Sequence, residues 1–129
     1  MAEIQYQQPD IDEKIKELVL CFNACGFITY ASCQGHGFPV DRLKPYIAFT
    51  APLPKVARLE KVLREDAESS TPQLNWGWWI TGNFNVKFEL CFSLVLANAP
   101  HWYMRYWRPA LNQDLNRLSL MLRDTFQPD

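Results

Sequence analysis

No apolar run in this chain is long enough to cross a bilayer, and its first residues, Met1-Ala2-Glu3-Ile4-Gln5, lack the basic and apolar regions of a secretory signal. Neither sign of charge dominates: 13 Lys and Arg stand against 14 Asp and Glu, giving a formal net charge of -1 and a pI near 6.1. The first absence leads us to expect a cytoplasmic protein without a membrane partner. The second argues against nucleic-acid binding through bulk electrostatics and leaves only a local basic patch for that role. Without an export signal, the four cysteines are expected as thiols, at least three of them buried, instead of two disulfides. Long disorder is not expected either, because 48% hydrophobic and 14% aromatic residues in a chain of 129 allow ample burial. One domain over 1–129 follows, with flexible termini expected at about 1–9 and 127–129.

Periodicity supplies the elements. Asp10 and Glu13 read as a capping box for a helix over Ile11–Cys25, with Ile15, Leu18, Val19 and Phe22 on one face and Gly26 as its stop. Phe27–Ser32 and Tyr46–Thr50 read as strands. Pro54 opens a second helix whose buried stripe is Val56, Leu59, Leu63 and Ala67. Leu74, Trp76, Trp78 and Ile80 alternate with Asn75, Gly77, Trp79 and Thr81. After Thr81-Gly82-Asn83, Val86, Phe88, Leu90, Phe92 and Leu94 alternate in the same way, which predicts a hairpin turning at Gly82-Asn83. Pro100 starts a short helix broken or kinked near Pro109, and Leu111, Leu115, Leu118 and Leu122 mark a final helix. The order helix, strand, strand, helix, strand, strand, helix predicts an α+β domain with about four mainly antiparallel strands and helices on one face.

Chemistry concentrates in Ser32-Cys33-Gln34-Gly35-His36-Gly37, a polar, glycine-flanked loop directly after a strand. Cys33 and His36 are the candidate catalytic pair, since a histidine raises the thiolate fraction of a nearby cysteine. Ser32, Gln34, Gly35 and Arg42 are candidate ligand contacts, with Lys44 a further phosphate-neutralising cation. Asp41 is the one acid near enough in sequence to orient His36. Cys21, Cys25, Cys33 and His36 form an acceptable zinc donor set, but the first pair sits on a helix and the spacing does not fit compact knuckles. No metal or other cofactor is therefore expected.

A third feature is the interleaving of aromatics with Arg105 and Arg108 in His101–Pro109, which suits base stacking or partner contact as well as core packing. Trp102, Arg105 and Arg108 are its candidate partner contacts. Trp76 and Trp78 are assigned to the core, whereas Trp79 points to the opposite face as a candidate partner anchor.

The segment from Ile11 through Val19 and Asn23, followed by Phe27–Gly35, resembles the opening of the wybutosine-synthesis tRNA methyltransferase family. There, an N-terminal helix leads into a Thr-x-x-Ser-Cys-x-Gly strand and loop. The resemblance implies an α+β fold and, at its most specific, an S-adenosylmethionine and tRNA site using Ser32 and Cys33. It departs at His36, where the family carries arginine, a permanent charge suited to phosphate. Ser32–His36 together with Pro45–Phe49 also resembles small phage and mobile-element proteins with a Ser-Cys-x-Gly-His loop followed by a Pro-Tyr-Ile-x-Phe strand. That likeness implies action by binding a host protein or nucleic acid, including inhibition of host defence. The resulting expectation is a small cytosolic binding protein of mobile-element origin. The alternative is an enzyme acting on a nucleotide or nucleic acid through the Ser32–His36 loop. Oligomeric state is left open.

Overall fold

The computed structural model describes residues 12–97 and 101–126. Three helices, α1 (Lys16–Ala24), α2 (Leu53–Glu68) and α3 (Arg108–Phe126), accompany four strands, β1 (Ile28–Cys33), β2 (Tyr46–Thr50), β3 (Trp78–Phe84) and β4 (Leu90–Leu96). A 3-10 helix, Trp102–Tyr106, precedes α3. The chain is thus a single α+β domain, with one antiparallel sheet of order β1-β2-β4-β3. The expected termini 1–9 and 127–129, the cap residue Asp10 and Pro100 lie outside the described residues.

One face of the sheet is covered. Ile47 and Phe49 of β2, Phe92 and Leu94 of β4 and Trp78 of β3 join Leu18 and Phe22 of α1, Leu59 and Leu63 of α2, and Leu111, Leu115, Leu118 and Leu122 of α3 in one core. The last four follow the helical spacing read from sequence, so burial of that stripe accounts for the course of α3. Ala67, by contrast, is exposed in the last turn of α2, beyond the buried Val56, Leu59 and Leu63.

The first helix begins at Lys16 instead of Ile11, and Ile15 at its N-cap makes no side-chain cap bond. Segment 12–14 runs along the Cys33 loop instead: the Lys14 amide donates to Gln34 Oε1 at 2.8 Å. Asp12 is drawn the same way. At the other end Gly26, with φ +93°, stops α1 as expected. The short helix breaks at Trp107, close to Pro109 as expected, and Pro109 itself lies in the first turn of α3, where its missing N–H costs nothing.

Residues 74–77, which alternate like a strand, are not paired in the sheet. Two helix carboxylates take their amides. Asp66 accepts from Gln73 N and Leu74 N at 2.8 and 3.2 Å, and Asp114 from Asn75 N and Trp76 N at 2.7 and 2.8 Å. Backbone donors need partners, but a ladder is not the only source. The hairpin also turns later than expected, at Asn85–Glu89. Asn85 Oδ1 accepts the amides of Lys87 and Glu89 at 2.8 and 3.0 Å, and Phe88 takes φ 62°. Val86 and Phe88 are therefore exposed at the hairpin tip instead of buried. Gly82 remains inside β3 opposite Phe92, where an added β-carbon would meet the Leu90 and Phe92 side chains at ordinary contact distance.

Cys33 lies on the second sheet face. Directly paired residues point the same way and successive residues alternate. Cys33, Tyr46, Val95 and Trp79 consequently form a row running across all four strands. Trp76 and Trp78 are buried, and Trp79 is 51% exposed on this opposite face, as the alternation predicts. A bulge between Thr29 and Ala31 frees Tyr30 from the register. Burial and a hydrogen bond with the Cys91 thiol push the Tyr30 hydroxyl up to about 12.

Candidate functional site

The loop after β1 is built to hold one shape. Gly35 and Gly37 both have positive φ, +88° and +93°. The amide and carbonyl of His36 pair with those of Leu43 at 3.0 and 3.2 Å, closing the loop on itself as a short antiparallel bridge. A β-carbon on Gly35 would sit 2.9 Å from Pro45 Cδ and 3.2 Å from the Leu43 carbonyl. Gly35→Ala is expected to lose about 1–3 kcal/mol of stability, combining left-handed backbone strain with this clash. Urea denaturation checks the loss, and an unchanged midpoint would contradict the geometry.

Within that frame the side chain of Asp12 does what sequence proximity had assigned to Asp41. Asp12 Oδ2 lies 3.2 Å from His36 Nε2 and accepts the Gln34 amide at 3.0 Å. Asp41 is occupied elsewhere, by Arg105 Nε at 3.1 Å. The Gly35 amide donates to Cys33 Sγ at 3.4 Å, and one donor atom each from Asp12, Cys33 and His36 lie within 4.8 Å of one another. Asp12 had been read only as a residue of the first helix. Its role arises across 24 residues of chain and has no local signature.

Arg108 anchors the same loop from α3. Its guanidinium donates to the carbonyls of Gly35 and Gln34 at 3.0 and 2.9 Å, while Nε donates to Asn112 Oδ1 at 2.8 Å. Burial lowers the Arg108 pKa from its ordinary value, and the nearby Cys33 and Asp12 pull the other way. Arg105 closes the next stretch: its carbonyl accepts the Val40 amide at 2.7 Å, and the Phe38 and Tyr106 rings meet with centroids 5.3 Å apart. The Cys33 loop and the aromatic segment, separate features in the sequence, thus form one surface.

The remaining candidates divide. Gln34 contributes its backbone and its side-chain oxygen to holding the loop. Ser32 pairs with buried Ile47 and so faces the core side, away from Cys33; its hydroxyl is buried with no hydrogen-bond partner among the described residues. Arg42 and Lys44 are exposed, with the Arg42 stem against Gly37. Trp102 is 76% exposed.

The donor set Cys21, Cys25, Cys33 and His36 is not assembled. Cys21 and Cys25 are buried against α3, their sulfurs directed to the carbonyls of Ser119 and Leu122 at 3.4 and 3.8 Å. Burial first, then the neighbouring Cys25, pushes the Cys21 thiol up to about 11, so it stays protonated at neutral pH. All four cysteines are free thiols, with Cys33 alone not fully buried. No protein-family model matches the chain, and neither a curated protein nor a solved structure does.

Proposed function

We propose that this chain is a protein-binding module whose contact surface combines the Cys33–Pro45 loop, the Trp102–Trp107 segment and the open sheet face ending at Trp79. The observation that carries this reading is the commitment of the two arginines. Arg105 is paired with Asp41, and Arg108 spends its guanidinium on Gln34, Gly35 and Asn112. The cations interleaved with the aromatics are thereby taken from phosphate, while Trp102, Tyr103, Trp107 and Trp79 stay exposed. Large exposed aromatics whose interleaved arginines are already engaged suit the anchor residues of protein interfaces better than a nucleic-acid track, and Arg42 and Lys44 are left as exposed cations at the loop edge.

Binding is favoured over catalysis because His36 has 49% of its side chain exposed at the rim of the fold, not in a water-excluding pocket. No helix among the described residues is long and apolar enough to cross a membrane. The resemblance of Ser32–His36 and Pro45–Phe49 to mobile-element proteins supports a host protein as the class of partner.

Affinity capture from nuclease-treated host extract, followed by calorimetry with the captured protein, tests the reading. Trp102→Ala and Trp79→Ala are each expected to weaken binding by about 2 kcal/mol, roughly 30-fold, with unchanged melting. Capture abolished by nuclease, or affinity unchanged in both variants, would overturn it.

A further inference from the structure

The geometry points to a mononuclear site for a thiophilic divalent cation of the zinc type, held by Asp12, Cys33 and His36. Thiolate and imidazole together select borderline and soft metals over magnesium or calcium. A carboxylate completes a three-ligand set that leaves a fourth position free, here on the solvent side of the half-exposed His36. Donors around a tetrahedral zinc stand roughly 3.3–3.8 Å apart, as follows from bonds of about 2.0–2.3 Å. The Asp12–His36 distance of 3.2 Å is already close to that range. The full set spans 4.8 Å, and closing it takes about 1 Å of side-chain movement. Asp12 and His36, with 28% and 49% of their side chains exposed, have room to make it.

What separates this triad from a chance cluster is the shell behind it. The amides of two successive residues, Gln34 and Gly35, donate to Asp12 Oδ2 and Cys33 Sγ respectively, so the loop that presents the ligands also orients them. Arg108 fixes that loop through the carbonyls of the same two residues. Thiolate and carboxylate together balance the charge of a divalent ion. On binding, Cys33 releases its proton to solvent and its sulfur forms the metal bond. The proton that His36 Nε2 shares with Asp12 leaves that nitrogen, which binds metal as the Nδ1–H tautomer, and the Asp12–His36 hydrogen bond gives way to one metal bond from each residue.

The test uses the full chain, reduced and stripped with chelator. Zn2+ is titrated by calorimetry and native mass spectrometry, and Co2+ serves as a spectroscopic probe. We expect one equivalent of each, and a thiolate-to-cobalt charge-transfer band that disappears in Cys33→Ser. Asp12→Asn and His36→Gln are expected to weaken Zn2+ at least tenfold, the loss that even outer-shell partners commonly produce. Cys91→Ser, at a buried sulfur on β4 outside the triad, is expected to keep the band. No stoichiometric binding, a band that survives Cys33→Ser, or Zn2+ affinity unchanged in both Asp12→Asn and His36→Gln would overturn the site. If Cys33→Ser fails to fold, the other two variants decide, since neither alters a fully buried side chain.

Discussion

Asp114→Ala is expected to lose about 3–5 kcal/mol, a large share of the roughly 5–15 kcal/mol that stabilises a domain of this kind. Asp114 is fully buried on α3 and accepts from Asn75 N, Trp76 N and Trp78 Nε1 at 2.7, 2.8 and 2.9 Å. Alanine leaves three donors without an acceptor, each costing about 1–3 kcal/mol when buried. It also unties the approach to β3, which has no strand partner of its own over residues 74–77. Urea denaturation measures the loss; a change under 1 kcal/mol would mean that water or a shifted backbone replaces the carboxylate.

The same residue has a pH signature. Burial pushes the Asp114 carboxyl up from its ordinary 3.8, although three N–H donors and Arg117 act to lower it. An acid raised by folding binds its proton more readily in the native than in the unfolded state. Its contribution is complete below the unfolded value and is lost as pH rises through the folded one. Asp114→Asn cannot titrate, and its amide offers only one oxygen to donors that now use two. The variant should be less stable, and the gap to the parent should narrow as pH rises from acid towards neutral. A gap that widens instead would show that the donors outweigh burial.

Arg108→Ala is expected to cost about 2–3 kcal/mol, in the range for hydrogen bonds to a charged group, and to release the Cys33 loop from α3. Three bonds go, two of them to the carbonyls of Gln34 and Gly35. Hydrogen exchange should register it first at the His36 and Leu43 amides, whose bridge depends on the loop's shape. Arg108→Lys should recover only part, because a single ammonium cannot span two carbonyls as a planar guanidinium does. Protection of those amides unaltered in Arg108→Ala would show that the glycine turns alone hold the loop.

These two residues also mark where the sequence is legible and where it is not. Patterns that repeat within one element are readable, because helical and strand periods are set by the local backbone. That is why the order of elements, the leucine stripe of α3 and the opposed faces of Trp78 and Trp79 all follow from residue spacing. The same periodicity misled at Leu74–Trp76, where Asp66 and Asp114 supply acceptors that a neighbouring strand would otherwise provide. It misled again at Gly82, because the Asn85 side chain captures the turn.

The strand order β1-β2-β4-β3 and the assembly of the loop were decided by tertiary structure alone. Ser32–His36 stands out locally by composition, yet Asp12 reaches it across 24 residues and Arg108 across 74. A carboxylate or guanidinium carries no mark of which distant amide or carbonyl it will meet. That choice is made when burial of the apolar faces brings the start of α1, the end of β1 and the first turn of α3 to the same end of the sheet.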